Sequence, residues 1–381
     1  MKRLYWQSEK QTWKIILTVA IVALIGLMAV ENISVKAGET EIKAAQIMQA
    51  GMETIKEYRQ KEVGEQYYDQ YDADKLNKFI ESGMIGVLSS PITTMVVAPT
   101  AKVATINPNW AALMVDLYIK AGVKNGDTIA ASFSGSYPAL NLAVMAAAEA
   151  MDIKVIAISS VGSSSWGSNL PNLAWLDMER ILNEKQIISN RSVAASRGGL
   201  EDLGLGLEAQ AVQMMEEIIK RNKMYYIYEI DRRQNIDHRM SIYSQYSDSD
   251  TIKLYVNVGG GKISVGDDTK ERIFQAGLNK NMRIKPGTSD SLMKRFAESG
   301  MPVIQMRHMT ELCKRLNMPC DIEEIPLVSE VKIFSHYNKF LVIAVFTVIT
   351  ALLLLLVKER QGTIILNSAE TNLAEKDLPV A

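Results

Sequence analysis

The chain has 381 residues, 48% apolar and 22% charged, which is enough to bury one or two sizeable cores and excludes wholesale disorder and a coiled-coil or collagen-like rod. Lys and Arg number 42 against 43 Asp and Glu, so the net charge of −1 provides no global basic field, and no nucleic-acid partner is expected. Two cysteines exclude a disulfide scaffold and a zinc ribbon, and three histidines leave little room for histidine-based metal or triad chemistry.

Lys2, Arg3, Lys10 and Lys14 make residues 1–14 a basic N-terminus. Residues 15–30 follow without a charge, as IILTVAIVALIGLMAV. With their flanks they approach the roughly 20 residues that cross a bilayer. A signal peptide is the competing reading. The run is longer than the roughly 7–15 residues of a signal core, and no small-x-small cleavage site follows. A transmembrane helix is therefore expected over 15–31. A second uncharged run, FLVIAVFTVITALLLLLV, fills 340–357 behind Lys339, with Lys358 and Arg360 after it, and predicts a transmembrane helix over 339–357. Basic flanks stay inside, so the N-terminus and the tail 358–381 are expected in the cytoplasm and the middle of the chain outside. A two-pass protein of the cytoplasmic membrane is therefore expected, and a mean hydropathy near zero is too low for a polytopic transporter.

Residues 32–106 read as a membrane-proximal helix and a connection. Ile42, Ala45, Met48, Met52 and Ile55 fall on one helical face, and a Tyr- and Asp-rich polar stretch follows over 67–79. Residues 107–190 read as an α/β lobe. Asn107-Pro108 opens a helix that Gly122 closes. A strand TIAASF, the loop Ser134-Gly135-Ser136, a small-residue helix over 138–151 and a strand IKVIAI then make a βαβ unit, whose strands must be parallel. Residues 191–335 read as a second α/β lobe. It holds a Gly-rich turn, a helix over 208–220, a strand over 251–258 ending at Gly259-Gly260-Gly261, a helix over 289–298, a strand over 302–306 and a helix over 309–317. The fold class is α/β, a βαβ-type mixed or parallel sheet flanked by two single transmembrane helices. Two lobes dividing near 190 and a single mixed sheet are both compatible with the pattern.

Ligands of open parallel sheets bind at the carboxyl ends of strands, near a reversal of strand order. Three Gly- and Ser-rich loops leave strands here: Ser134-Gly135-Ser136, the segment 159–169 with Ser163 and Ser164, and Gly259-Gly260-Gly261. Together these eight residues are the candidate anion site, through backbone amides and the helix terminus after Ser136. Ordinary crossover turns are the alternative reading of each loop. No G-x-S-x-G elbow occurs, and no catalytic set is assigned. Asp177, Glu179 and Asp202 were weighed as hard-cation ligands, but carboxylates two apart on a helix diverge, so no metal site is expected. Lys262 reads as a solvated turn lysine. Cys313 and Cys320 enclose six residues and form either a short-loop disulfide or two free thiols. No cofactor is expected.

The segment SFSGSYPALNLAVMAAAEAMDIKVIAIS locally resembles the phosphosugar-binding module of sugar isomerases, with Ser132, Ser134 and Gly135 in its Ser-x-Ser-Gly loop. A longer likeness combines the two apolar ends with GVKNGDTIAASFSGSYPALNLAVMAAAEA, VIAISSVGSSSWGSNLPNLAWLDME and VNVGGGKISVG. In this order the chain resembles the poly-gamma-glutamate system protein family of bacterial membrane proteins. The resemblance implies association with the membrane subunits of a poly-γ-glutamate synthesis and export machinery, which includes an amide ligase. Its implied partners are those subunits, the lipid bilayer and the anionic polymer. No ATP-grasp or P-loop string is present, so this chain is not expected to be the ligase. Two roles stay open beside this resemblance: a component that binds polymer or partners, or an extracytoplasmic hydrolase or transferase acting on an anionic substrate; the local likeness implies a phosphosugar-type ligand-binding domain as a further alternative. The second role needs a nucleophile–base pair within hydrogen-bond reach.

Overall fold

The computed structural model describes residues 13–32, 34–36, 38–63, 77–247, 251–267, 273–320, 324–325 and 332–354. Residues 1–36 and 335–381 form one compact unit, and 37–334 form another. The smaller unit opens with α1 (Trp13–Asn32) and β1 (Ser34–Lys36). The larger runs through α2 (Glu39–Tyr58), α3 (Asn77–Ile80), β2 (Thr93–Met95), α4 (Thr100–Val103), α5 (Asn109–Ala121), β3 (Thr128–Ser134), α6 (Pro138–Ala150), β4 (Lys154–Ser160), β5 (Ser163–Ser164), β6 (Asn169–Leu170), β7 (Leu173–Ala174), α7 (Trp175–Glu184) and β8 (Ser192–Ser196). It continues with α8 (Ala209–Arg221), β9 (Tyr225–Tyr226), α9 (Arg232–Tyr246), β10 (Ile252–Val258), α10 (Lys262–Val265), β11 (Gly277–Asn279), α11 (Leu292–Glu298), β12 (Val303–Met306) and α12 (Met309–Leu316); β13 (Lys332–Tyr337) spans the boundary at 334/335 and pairs with β1.

Seven strands build a mainly parallel sheet in the order β11-β12-β10-β3-β4-β8-β9, with only the edge strand β11 antiparallel to its neighbour. The inner strands are apolar at almost every position because both faces are covered. On β3, Ile129, Ala131 and Phe133 face the cluster built with α2, α5, α6 and α7, while Ala130 faces the cluster built with α9 and α11. β10 alternates in the same way, Leu254, Val256 and Val258 against Tyr255. The Ala-rich α6 lets α2 approach closely; a Cβ on Gly51 would lie 2.9 Å from Leu142. Gly122 ends α5 in the left-handed region at φ 93°, as expected of a glycine in that position.

From β3 the chain steps outward through β4, β8 and β9. It then returns across the sheet, places β10 on the other side of β3, and steps outward again to β12. Strand order therefore reverses between β3 and β10. That return corrects the division into lobes 107–190 and 191–335, because strands from both ranges hydrogen-bond in one sheet. The helix predicted after the first apolar run is present as α2, and of its predicted face only Ile42 is exposed. α2 is a core helix of the larger unit, with Ala44, Ala45, Met48, Met52 and Ile55 buried.

The N-terminal residues 1–12, the tail 358–381 and most of the Tyr- and Asp-rich connection lie outside the described residues. In the smaller unit the run predicted over 15–31 is helical as α1, and that predicted over 339–357 is helical over 339–354. A Cβ on Gly26 of α1 would lie 2.5 Å from Val345, so the two helices touch there. Among the described residues no helix is long and apolar enough to cross a membrane.

Candidate functional site

The three predicted loops leave the carboxyl ends of three adjacent parallel strands, β10, β3 and β4. The structure brings them into contact. A Cβ on Gly259 would lie 3.0 Å from the Ser134 Cβ. Ser163 Oγ donates to the Gly135 carbonyl at 3.0 Å, and the Ser164 amide donates to Ser136 Oγ at 2.9 Å. The cluster thus flanks the reversal of strand order, where the crevice of a doubly wound sheet lies.

Several amides of the expected cradle are already engaged within the protein. The amides of Gly135, Ser136, Tyr137 and Gly259 donate to Ser160 O, Ser134 Oγ, Ser134 O and Met306 O. Short hydroxyl side chains satisfy neighbouring backbone groups, so a serine-rich loop consumes its own donors. The Gly135 carbonyl is a hub that also accepts from Ser168 N and Ser168 Oγ, both at 2.8 Å.

A residue absent from the sequence-based site occupies the centre. Lys102 on α4 is 2% exposed. Its Nζ donates to the Ser136 carbonyl and, at 2.9 Å, to Ser164 Oγ, and lies 3.5 Å from the centroid of the Tyr137 ring. It forms no ion pair with a carboxylate among the described residues. Burial pulls its pKa down to about 7, because removing an ammonium from water disfavours the charged form. Burial also raises the Tyr137 phenol, and the Arg307 charge opposes that rise. Arg307 lines a cavity of about 220 Å³ with Val265, Phe274, Lys285, Gln305 and His308. None of the eight predicted loop residues lines it, but Val265 sits 2.8 Å from where a Gly260 Cβ would be.

The carboxylates weighed as cation ligands occupy separate networks. Asp177 pairs with Arg221, Asp202 with Arg239 at 2.7 Å, and Glu179 accepts from Ser192 Oγ at 2.8 Å. Lys262 pairs with Glu201 at the surface, 2.8 Å away. Cys313 and Cys320 are free thiols, so the disulfide alternative is not realised; Cys313 is buried on the inner face of α12 and the Cys320 thiol donates to the Met309 carbonyl.

Glu179 carries a pH dependence. It is fully buried, and burial is the chief cause that lifts its pKa from 4.5 to about 7, against the opposing Ser192 hydrogen bonds. The native state then holds a proton that the unfolded chain has lost between these values. Stability is expected to fall as pH rises from about 4.5 to about 7, by on the order of 3 kcal/mol. Urea unfolding of the Glu179→Gln variant across that window should show a flatter profile than the parent. An equal slope in both would refute the assignment.

Comparison of the chain with family models, with curated proteins and with solved structures finds no match.

Proposed function

We propose that this chain is a two-pass, membrane-anchored component of a bacterial poly-γ-glutamate synthesis and export system whose outer α/β unit binds an anionic ligand, the polymer or a partner subunit, at the loop cluster. The reversal of strand order between β3 and β10, with serine and glycine loops on both sides, carries the binding reading. Lys102, hydrogen-bonded to Ser136 and Ser164, is the cation within the loop cluster, and Arg307 lines a separate cavity; both support an anionic ligand. The polymer assignment rests on the resemblance of the sequence strings quoted above.

The membrane reading is supported by side chains. Leu24, Ile25, Leu27 and Met28 of α1 are more than half exposed, as are Phe340, Ile343 and Phe346 on the helix over 339–354. Exposed apolar groups along both helices suit a lipid surround better than water. A small residue such as Gly26 at the helix contact also suits packing in a bilayer. The apolar run of the sequence continues to Val357, outside the described residues.

Topology is tested with a membrane-impermeant maleimide on intact cells. Asn125→Cys lies in an exposed turn of the larger unit and is expected to react in a background lacking Cys313 and Cys320. Reaction only after permeabilisation would place the unit inside and end the two-pass assignment. Deletion of the chain is expected to lower released polymer while ATP-dependent ligation survives in isolated membranes. Unchanged polymer would remove the functional assignment.

A further inference from the structure

Three consecutive serines, Ser163, Ser164 and Ser165, follow β4, and their hydroxyls have different partners. Ser163 Oγ donates to Gly135 O and Ser164 O, and Ser165 Oγ donates to Leu88 O. Both protons are therefore held by backbone carbonyls. Ser164 Oγ instead accepts from Lys102 Nζ and donates to no protein atom among the described residues. Its neighbours Ser136 and Tyr137 are partly exposed, and Ser164 itself is 8% exposed.

We propose that Ser164 and Lys102 form a nucleophile–base pair for acyl transfer from an amide or ester whose acyl part carries a negative charge. This goes beyond the binding role above and does not depend on the identity of the polymer. The geometry has the two elements such a pair needs: a hydroxyl within hydrogen-bond reach of a base, and a base without a carboxylate partner among the described residues. Burial of Lys102 keeps its amine near neutrality at physiological pH. The negative charge of the substrate is assigned to the cavity that meets the loop cluster where Val265 lies beside Gly260 and Arg307 acts on Tyr137, and whose lining includes Lys285 and Arg307.

The step balances as follows. Neutral Lys102 takes the Ser164 hydroxyl proton as Oγ bonds to the acyl carbon. The resulting ammonium gives that proton to the leaving amine or alcohol as its bond to the acyl carbon breaks. Water then attacks the acyl-serine, losing a proton to Lys102, and that proton returns to Ser164 Oγ as the acid departs. An amine acceptor in place of water gives transfer.

A fluorophosphonate probe tests this on the purified full-length chain, with the modified residue located by peptide mass spectrometry. Labelling is expected on Ser164, absent from Ser164→Ala and retained in Ser165→Ala. Its rate should climb roughly tenfold per pH unit below pH 7 and level off above it, as one group near 7 loses its proton. Lys102→Met should slow it by about 100-fold or more while leaving the thermal unfolding transition in place. If that variant does not fold, the pH profile of the parent still decides. No labelling of Ser164, or a rate that rises only above pH 9, would overturn the proposal. Loss of labelling with polymer release intact would sink the pair and spare the binding role; the reverse would spare the pair.

Discussion

The Gly135→Val variant is expected to lose about 3 kcal/mol or more of stability, enough to remove most folded protein. A Cβ there would lie 2.6 Å from the Val161 carbonyl oxygen and 3.2 Å from that of Gly162, both backbone atoms that cannot swing aside. Two branched methyl groups add further overlap in a region already at crystal-like density. The damage spreads because the Gly135 carbonyl holds Ser163 and Ser168, and with them the loop that carries Ser164. Ser136→Ala should be milder, about 1–3 kcal/mol, the cost of leaving the Ser164 amide without its acceptor. Circular-dichroism melts of the two purified variants separate the outcomes. A Gly135→Val transition within a few degrees of the parent would show that the β3 and β4 loops are looser than described.

Asp202→Ala is expected to cost about 3–5 kcal/mol. Asp202 and Arg239 are 9% and 4% exposed at their side chains and 2.7 Å apart, and Ser196 and Asn235 complete the network. Removing the carboxylate leaves a buried guanidinium without its counter-charge, which is far worse than never having buried the pair. The double variant Asp202→Leu with Arg239→Met should therefore recover most of the loss. Urea unfolding measures both. A single-variant cost below about 1 kcal/mol would mean that water reaches the pair.

The same residues explain what could be read from the sequence. β3, β4 and α6 were legible because strands buried on both faces read as unbroken apolar runs, and alanines pack between them. α9 was not. Its inward face includes Asn235 and Arg239, so the buried stripe looks polar and periodicity gives no signal. The return of β10 to the side of β3 was equally silent, since the pairing of strands far apart in sequence leaves no local mark; the lobes merged for that reason. At the site, the three loops were placed correctly on the carboxyl edge, whereas their spare amides were not spare, since Ser134 and Ser136 hydroxyls compete for them. Lys102 sits in the string PTAKVATI, where a lone lysine reads as solvated. Its burial is imposed by Ser136 and Ser164, 34 and 62 residues away in sequence.

The central claim is that the loop cluster around Lys102 and Ser164 is the working part of the chain. The most direct measurement is polymer released by cells that lack the chain and are complemented with full-length Ser164→Ala, with membrane abundance of the protein checked in parallel. The expected result is normal abundance with polymer as low as in the uncomplemented strain. Parental polymer levels from Ser164→Ala at normal abundance would contradict the claim.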